Sequence, residues 1–177
     1  VGCVWKAGQK ILIWSDVNHS SEIICATLGG WKAGLTVVHS QFENPEDILK
    51  VLKDCDVFMF SPFITAEDKK TRLEQISSHL HELKNKHLIQ VSHKSIDGTI
   101  KFKQAFNYST GLNSSISLPD VDDNSAAFEI YKEDKRTHSF SHRDVYDIVH
   151  ANLPDLKFST VLNAAPSFYP SNITPKH

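Results

Sequence analysis

The chain has 177 residues, 40% hydrophobic and 23% charged, which makes room for one folded domain and excludes wholesale disorder. Its formal net charge of -2 provides no basic field for a phosphate backbone, so general nucleic-acid binding is not expected. No apolar run approaches the roughly 18 residues of a bilayer-spanning helix, and Cys3, Cys25 and Cys55 are widely spaced without a CxxC, so a disulfide framework and a zinc knuckle are not indicated and a reducing compartment is the simpler expectation.

In chain order, Lys10-Ile11-Leu12-Ile13-Trp14 is a short apolar run closed by Ser15-Asp16, the pattern of a buried strand. Asp16, Asn18 or Ser20 can cap the helix that follows, where Ile23, Ile24, Thr27, Leu28 and Trp31 recur at helical spacing and Gly34 occupies a C-terminal glycine position after Lys32. Leu35 to His39 reads as the next strand. Asn44-Pro45-Glu46-Asp47 then starts a helix, with a capping side chain, a proline at the first helical position and two acids at the positive end of the dipole. Ile48, Leu49, Val51 and Leu52 form its apolar face. Asp56 to Phe60 is a third strand, Thr65-Ala66-Glu67-Asp68 opens a helix with the stripe Leu73, Ile76, Leu80 and Leu83, and His87 to Val91 is a fourth strand. Strand and helix thus alternate four times, which predicts an open, mainly parallel α/β sheet with right-handed crossovers and helices on both faces.

The second half changes character. Asp97-Gly98 marks a turn, Phe102 to Phe106 a short helix, and the Ser/Asn/Asp-rich stretch 107–124 a loop. Ala126 to Tyr131 and Arg136 to Phe140 read as two strands joined tightly through Lys132-Glu133-Asp134. Ser141 can cap a helix carrying Val145, Ile148 and Val149. Phe158 to Leu162 is a last strand. The domain is expected over 1–163, with a Pro-rich tail at 164–177. The first residue is Val1 rather than Met, so either a segment has been removed or the sequence starts late, and the absence of a targeting segment from these residues is not evidence against one.

These pieces together resemble the N-terminal region of adenylate-forming enzymes, the acyl-CoA synthetases, luciferases and peptide-synthetase adenylation domains. The resemblance rests on Ala7-Gly8-Gln9-Lys10-Ile11-Leu12-Ile13-Trp14, on Asn18 and Glu22, on Trp31-Lys32-Ala33-Gly34 before Val37-Val38, and on Val51-Leu52-Lys53-Asp54-Cys55-Asp56. It covers Val1 to about Pro62 and continues loosely to Asn152, where Ser141-His142-Arg143-Asp144 is similar to the family's S-H-R-N helix start. Asn163-Ala164-Ala165-Pro166-Ser167-Phe168-Tyr169 is similar to the short segment after the family's next strand. The resemblance implies a truncated version of that N-terminal domain.

It also implies a Gly-rich loop, T-S-G-T-T-G-x-P-K-G, whose backbone N–H groups wrap ATP phosphates. The corresponding stretch here is Ile130 followed by Tyr131, Lys132, Glu133, Asp134, Lys135, Arg136 and Thr137. It contains no Gly, none occurs after Gly111, and two acids stand where phosphates would sit. Lys135 or Arg136 echoes the loop lysine. The family's downstream acids, ribose-binding Asp and catalytic Lys have no counterpart within these 177 residues. The expectation is a degenerate phosphate loop at Tyr131 to Thr137, with no catalytic residue, no cofactor and no metal.

Other constellations are weaker. Ten His invite a metal, but His79 and His81 are two apart on a predicted helix, and His138 and His142 find no completing ligands. No G-x-S-x-G elbow supports a hydrolase triad. Asn18-His19-Ser20, Asn107-Tyr108-Ser109, Asn113-Ser114-Ser115 and Asn172-Ile173-Thr174 match the glycosylation pattern, which such a composition yields by chance. Trp5, Trp14 and Trp31 suit core packing better than an acyl pocket. The function expected is therefore a catalytically inactive, acyl-CoA synthetase-like accessory or structural subunit of a larger protein assembly. A mitochondrial membrane complex of respiratory or ATP-synthase type is the expected host, with an acyl or lipid contact in addition. The alternatives are a piece of a longer acyl-activating enzyme and a non-catalytic acyl/CoA-binding module.

Overall fold

The computed structural model describes residues 5–15, 20–40, 45–61, 83, 86–91, 97–104, 119–132 and 134–152. Its strands are β1 (Lys10–Trp14), β2 (Thr36–Ser40), β3 (Val57–Phe60), β4 (His87–Gln90), β5 (Ile100–Lys101), β6 (Ala126–Lys132) and β7 (Lys135–Ser141). Its helices are α1 (Ser20–Lys32), α2 (Pro45–Leu52) and α3 (His142–Asn152). The seven strands form one sheet in the order β5-β4-β3-β1-β2-β6-β7. Every neighbouring pair is parallel except β6 and β7, which are antiparallel. The fold is α/β with a mostly parallel sheet.

β1 lies at the centre because it is apolar on both sides of its pleat. Ile11 and Ile13 point to one face and Leu12 and Trp14 to the other. Ile11 aligns with Val37 and Val57, and Leu12 aligns with Val38 and Phe58, so each face is a continuous apolar surface. On one face Leu12, Val38, Phe58 and Phe60 pack with Ile48, Val51 and Leu52 of α2. On the other Ile11, Ile13, Val37 and Met59 pack with Ile23, and with the partly buried Ala26 and Trp31, of α1. Helices therefore cover both faces. Asp56 pins the start of the centre: its carboxylate accepts the Lys10 N–H at 2.9 Å, and its own N–H donates to the Lys10 carbonyl at 2.9 Å.

Local signals set the helix ends. α1 stops at Gly34, whose φ of 75° is the left-handed conformation that glycine adopts without strain. The Gly34 N–H donates to the Trp31 carbonyl at 2.9 Å and the Leu35 N–H to the Gly30 carbonyl at 2.8 Å, the paired bonds of a Schellman end. Leu35 is thus spent on closing the helix, and β2 begins at Thr36 rather than at Leu35. Within α1 a side chain at Gly30 would meet Val37 Cγ2 at 3.2 Å, so the helix rides close to the sheet there. α3 opens with a reciprocal cap: the Ser141 N–H donates to Asp144 at 2.8 Å, and the Asp144 N–H donates to Ser141 Oγ at 3.1 Å.

Two expectations change. The apolar stripe of α1 is split: Ile23 and Thr27 are buried against the sheet, whereas Ile24 and Leu28 are 46% and 57% exposed. One helix presents only a limited arc to a flat sheet, so a stripe that wide cannot all be buried. β5, two residues long, has no period to read and was not expected; it follows the Asp97-Gly98 turn, where Gly98 has φ 79°. Positions 102–104 are helical, as expected for the first part of the Phe102 to Phe106 helix, and 119–124 hold neither helix nor strand. The helix opened by Thr65, apart from the buried Leu83, the 107–118 part of the loop, the strand Phe158 to Leu162 and the 164–177 tail lie outside the described residues.

Candidate functional site

The seven residues at the degenerate loop position sit on the β6–β7 hairpin. Tyr131 and Lys132 end β6, and Lys135, Arg136 and Thr137 begin β7. Tyr131 pairs with Arg136 and Lys132 with Lys135, which leaves positions 133–134 as a two-residue connection. Glu133 itself lies outside the described residues. A loop that wraps phosphates needs a run of backbone N–H groups turned toward the ligand. Here the residues on either side of the connection are committed to ladder pairing instead.

The charge arrangement is set by Glu129, a carboxylate in the middle of an apolar strand and 2% exposed. One oxygen accepts Lys10 Nζ at 2.9 Å and the Tyr131 hydroxyl at 3.3 Å, and the other accepts Arg136 Nη1 at 2.9 Å. Burial pushes the Glu129 carboxyl up, but the hydrogen bonds and charges of Lys10 and Arg136 outweigh it and hold it below the usual range. Burial, followed by the adjacent Glu129 charge, pushes the Tyr131 phenol up to about 12. The cluster thus holds two cations, one anion and one neutral donor at neutral pH. A buried carboxylate without such partners would be destabilised by several kcal/mol, on the order of magnitude of ion desolvation in proteins.

Asp134 adds a second anion at the hairpin tip, where Lys50 of α2 bridges it at 3.4 Å and Asp47 at 3.0 Å. Arg136 is engaged by Glu129, and a phosphate brought to it would compete with that carboxylate. Lys132 and Lys135 are exposed. The residues at the loop position do not fit the ATP phosphates that the resemblance implies.

A second region is fixed by topology rather than by sequence. Read from β2 to β5, the order 2-1-3-4-5 reverses direction between β1 and β3, and doubly wound sheets hold ligands outside the strand ends at such a reversal. Ser15 and Ser61 follow those strands. The Ser61 N–H donates to the Trp14 carbonyl at 3.0 Å, and the Ser15 hydroxyl is buried with no partner among the described residues. On the flanking strands His39 and Gln90 are buried. His39 Nε2 stands 3.4 Å from Thr27 Oγ1, its ring lies 5.1 Å from that of Phe128, and burial lowers its pKa to about 4, so it is neutral. Among the described residues the C-terminal ends of β2, β1, β3 and β4 carry no Asp, Glu, Lys or Arg.

The remaining candidates disperse. His138 stacks on Phe140 at 6.0 Å, and His142 meets the Trp31 ring edge-on at 6.5 Å. No group of three potential metal ligands gathers among the described residues. His79, His81 and the Asn of all four glycosylation triplets lie outside them. Trp14 stacks on Phe58 in the core, while Trp31 is half-buried and donates its indole N–H to the Ala127 carbonyl at 2.7 Å. That carbonyl lies at a register shift of β6, where the ladder is irregular.

Sequence reasoning missed Lys10 and Glu129 as members of the hairpin cluster. The available signal was a single acid inside the run Ala126 to Tyr131, which needs cationic or N–H partners wherever the strand is buried. No protein-family model matches the sequence, and no curated protein matches it.

Proposed function

We propose that the chain is a catalytically inactive, acyl-CoA synthetase-like domain that serves as an accessory or structural subunit of a larger assembly, with a mitochondrial membrane complex of respiratory or ATP-synthase type as the host. The observation that carries this reading is the hairpin at the loop position, with its two-residue connection and with Arg136 paired to the buried Glu129. Such a site stabilises the sheet margin and offers no cradle for a triphosphate. The exposed surface supports the partner side of the reading. Among the described strands β7 is the last on its side of the sheet, with Lys135 to Ser139 exposed, and Ile24, Leu28, Tyr146 and Val149 are exposed on α1 and α3. Edges and apolar faces of this kind are what assemblies cover. No helix among the described residues is long and apolar enough to cross a membrane.

The test is the native mass of the protein in a gentle detergent extract, by blue-native electrophoresis with mass spectrometry of the band. Migration far above 19.9 kDa with constant partners is the expected result. Migration as a free small species would overturn the subunit reading.

A further inference from the structure

We infer that the outer face of α1 is a two-fold interface between two copies of this chain, in which the α1 helices pack antiparallel. The inference stands on the surface of α1 and does not depend on the reading of the hairpin.

A surface helix normally turns charge to water. α2 does so, with Glu46 and Lys50 as its charged outer residues over buried Ile48, Val51 and Leu52. α1 does not. Its exposed positions are Ser21, Ile24, Cys25, Leu28, Gly29 and Lys32, so the middle two turns present no charged side chain. Ile24 and Leu28 are large and apolar, while Cys25 and Gly29 between them are small. A side chain added at Gly29 would meet nothing within 4 Å, so a second backbone can approach there.

The second copy is favoured as occupant by the distribution of charge along the helix. Glu22 is in the first turn and Lys32 in the last. Two α1 helices placed antiparallel and centred at the level of Thr27 bring Glu22 opposite Lys32 of the second copy, twice by symmetry. The same register sets Cys25 opposite Gly29 of the second copy, a larger side chain into the space of a smaller one. Opposite charges at the ends fix the register, and the uncharged middle sets no like charges together. A parallel pairing would instead set Glu22 beside Glu22 and Lys32 beside Lys32.

Size brings in the neighbouring helix. Thirteen residues of α1 are about 20 Å long, and a contact of that length alone falls short of the roughly 800 Å² per partner of a stable interface. Trp31 of α1 touches His142 at the start of α3, so both helices lie on one face of the sheet. Tyr146 and Val149 of α3 are large and 56% and 52% exposed, apolar area that a larger contact can use.

The experiment uses the purified 177-residue chain. Light scattering after size exclusion is expected to give twice the 19.9 kDa monomer mass, and Leu28→Asp, at an exposed position, is expected to halve it with an unchanged far-UV circular dichroism spectrum. Gly29→Cys under a mild oxidant is expected to yield a covalent dimer that disappears when Cys25→Ser is added, because the introduced thiol faces Cys25 of the second copy. A monomer at the highest soluble concentration, a dimer that survives Leu28→Asp, or a dimer whose cross-link ignores Cys25 would each overturn the inference. A larger native complex that contains one copy of the chain would overturn it while leaving the subunit reading intact.

Discussion

The centre of the sheet and its β6–β7 margin are stabilised by different physics. Around β1 each strand is apolar on both pleat faces, and Leu12, Val38, Phe58 and Phe60 have no exposed surface. The margin is antiparallel, irregular in register and exposed over Lys135 to Ser139, and its buried acid Glu129 is matched by Lys10, Arg136 and Tyr131. The centre is held by area removed from water, the margin by compensated charge. Burial forgives neither a lost methylene nor an added charge, whereas a solvated ion pair can be weakened with little loss. The difference separates an apolar scaffold from a margin whose charges pair internally.

Four measurements would break or sharpen that contrast. Phe58→Ala should have the largest effect, about 3–5 kcal/mol as for other buried aromatics, read as a lower urea midpoint at unchanged slope. Next comes the pH dependence of His39. The folded protein keeps this ring neutral down to about pH 4, whereas the unfolded chain takes up a proton below about 6.5. The contribution is therefore complete above pH 6.5 and is lost as pH falls toward 4, amounting to roughly 3 kcal/mol. His39→Gln should flatten that part of the stability profile.

Lys10→Met should cost about 1–3 kcal/mol, since it leaves the buried Glu129 with fewer partners. Because the folded Glu129 carboxyl titrates below its ordinary value of 4.5, this penalty should persist above pH 4.5 and shrink as pH falls through the lowered value. Arg136→Gln should have the smallest effect of the four, because that side chain is 55% exposed and its pair is screened by water. If the two margin variants matched Phe58→Ala in magnitude, the proposed division between centre and margin would be wrong.

Much of the architecture was legible in the sequence. The runs at Lys10–Trp14, Val57–Phe60 and His87–Gln90 are apolar on both faces, which is a direct statement of burial in a parallel sheet. Gly34 after α1, the acids at the start of α2 and Ser141 before α3 announced the helix ends, because each acts within one turn. The hairpin was readable from the short charged connection between two strand patterns. The cluster on it was not, since Lys10 and Glu129 are 119 positions apart and meet only because a single strand, β2, separates β6 from β1. The same limit applies to α1. Periodicity finds its apolar residues but cannot tell Ile23, against the sheet, from Ile24, in solvent. The reversal between β1 and β3 is a property of strand order, which no local pattern encodes.

The proposed reading is that the β6–β7 hairpin stands where a nucleotide loop would and that the chain performs no adenylation. ATP–pyrophosphate exchange tests it most directly, run with the purified chain, magnesium and a panel of carboxylic acids from acetate to long-chain fatty acids. The account predicts no exchange above background with any acid, in the unaltered chain and in Glu129→Gln alike. Exchange that depends on one carboxylic acid and saturates with ATP would contradict it.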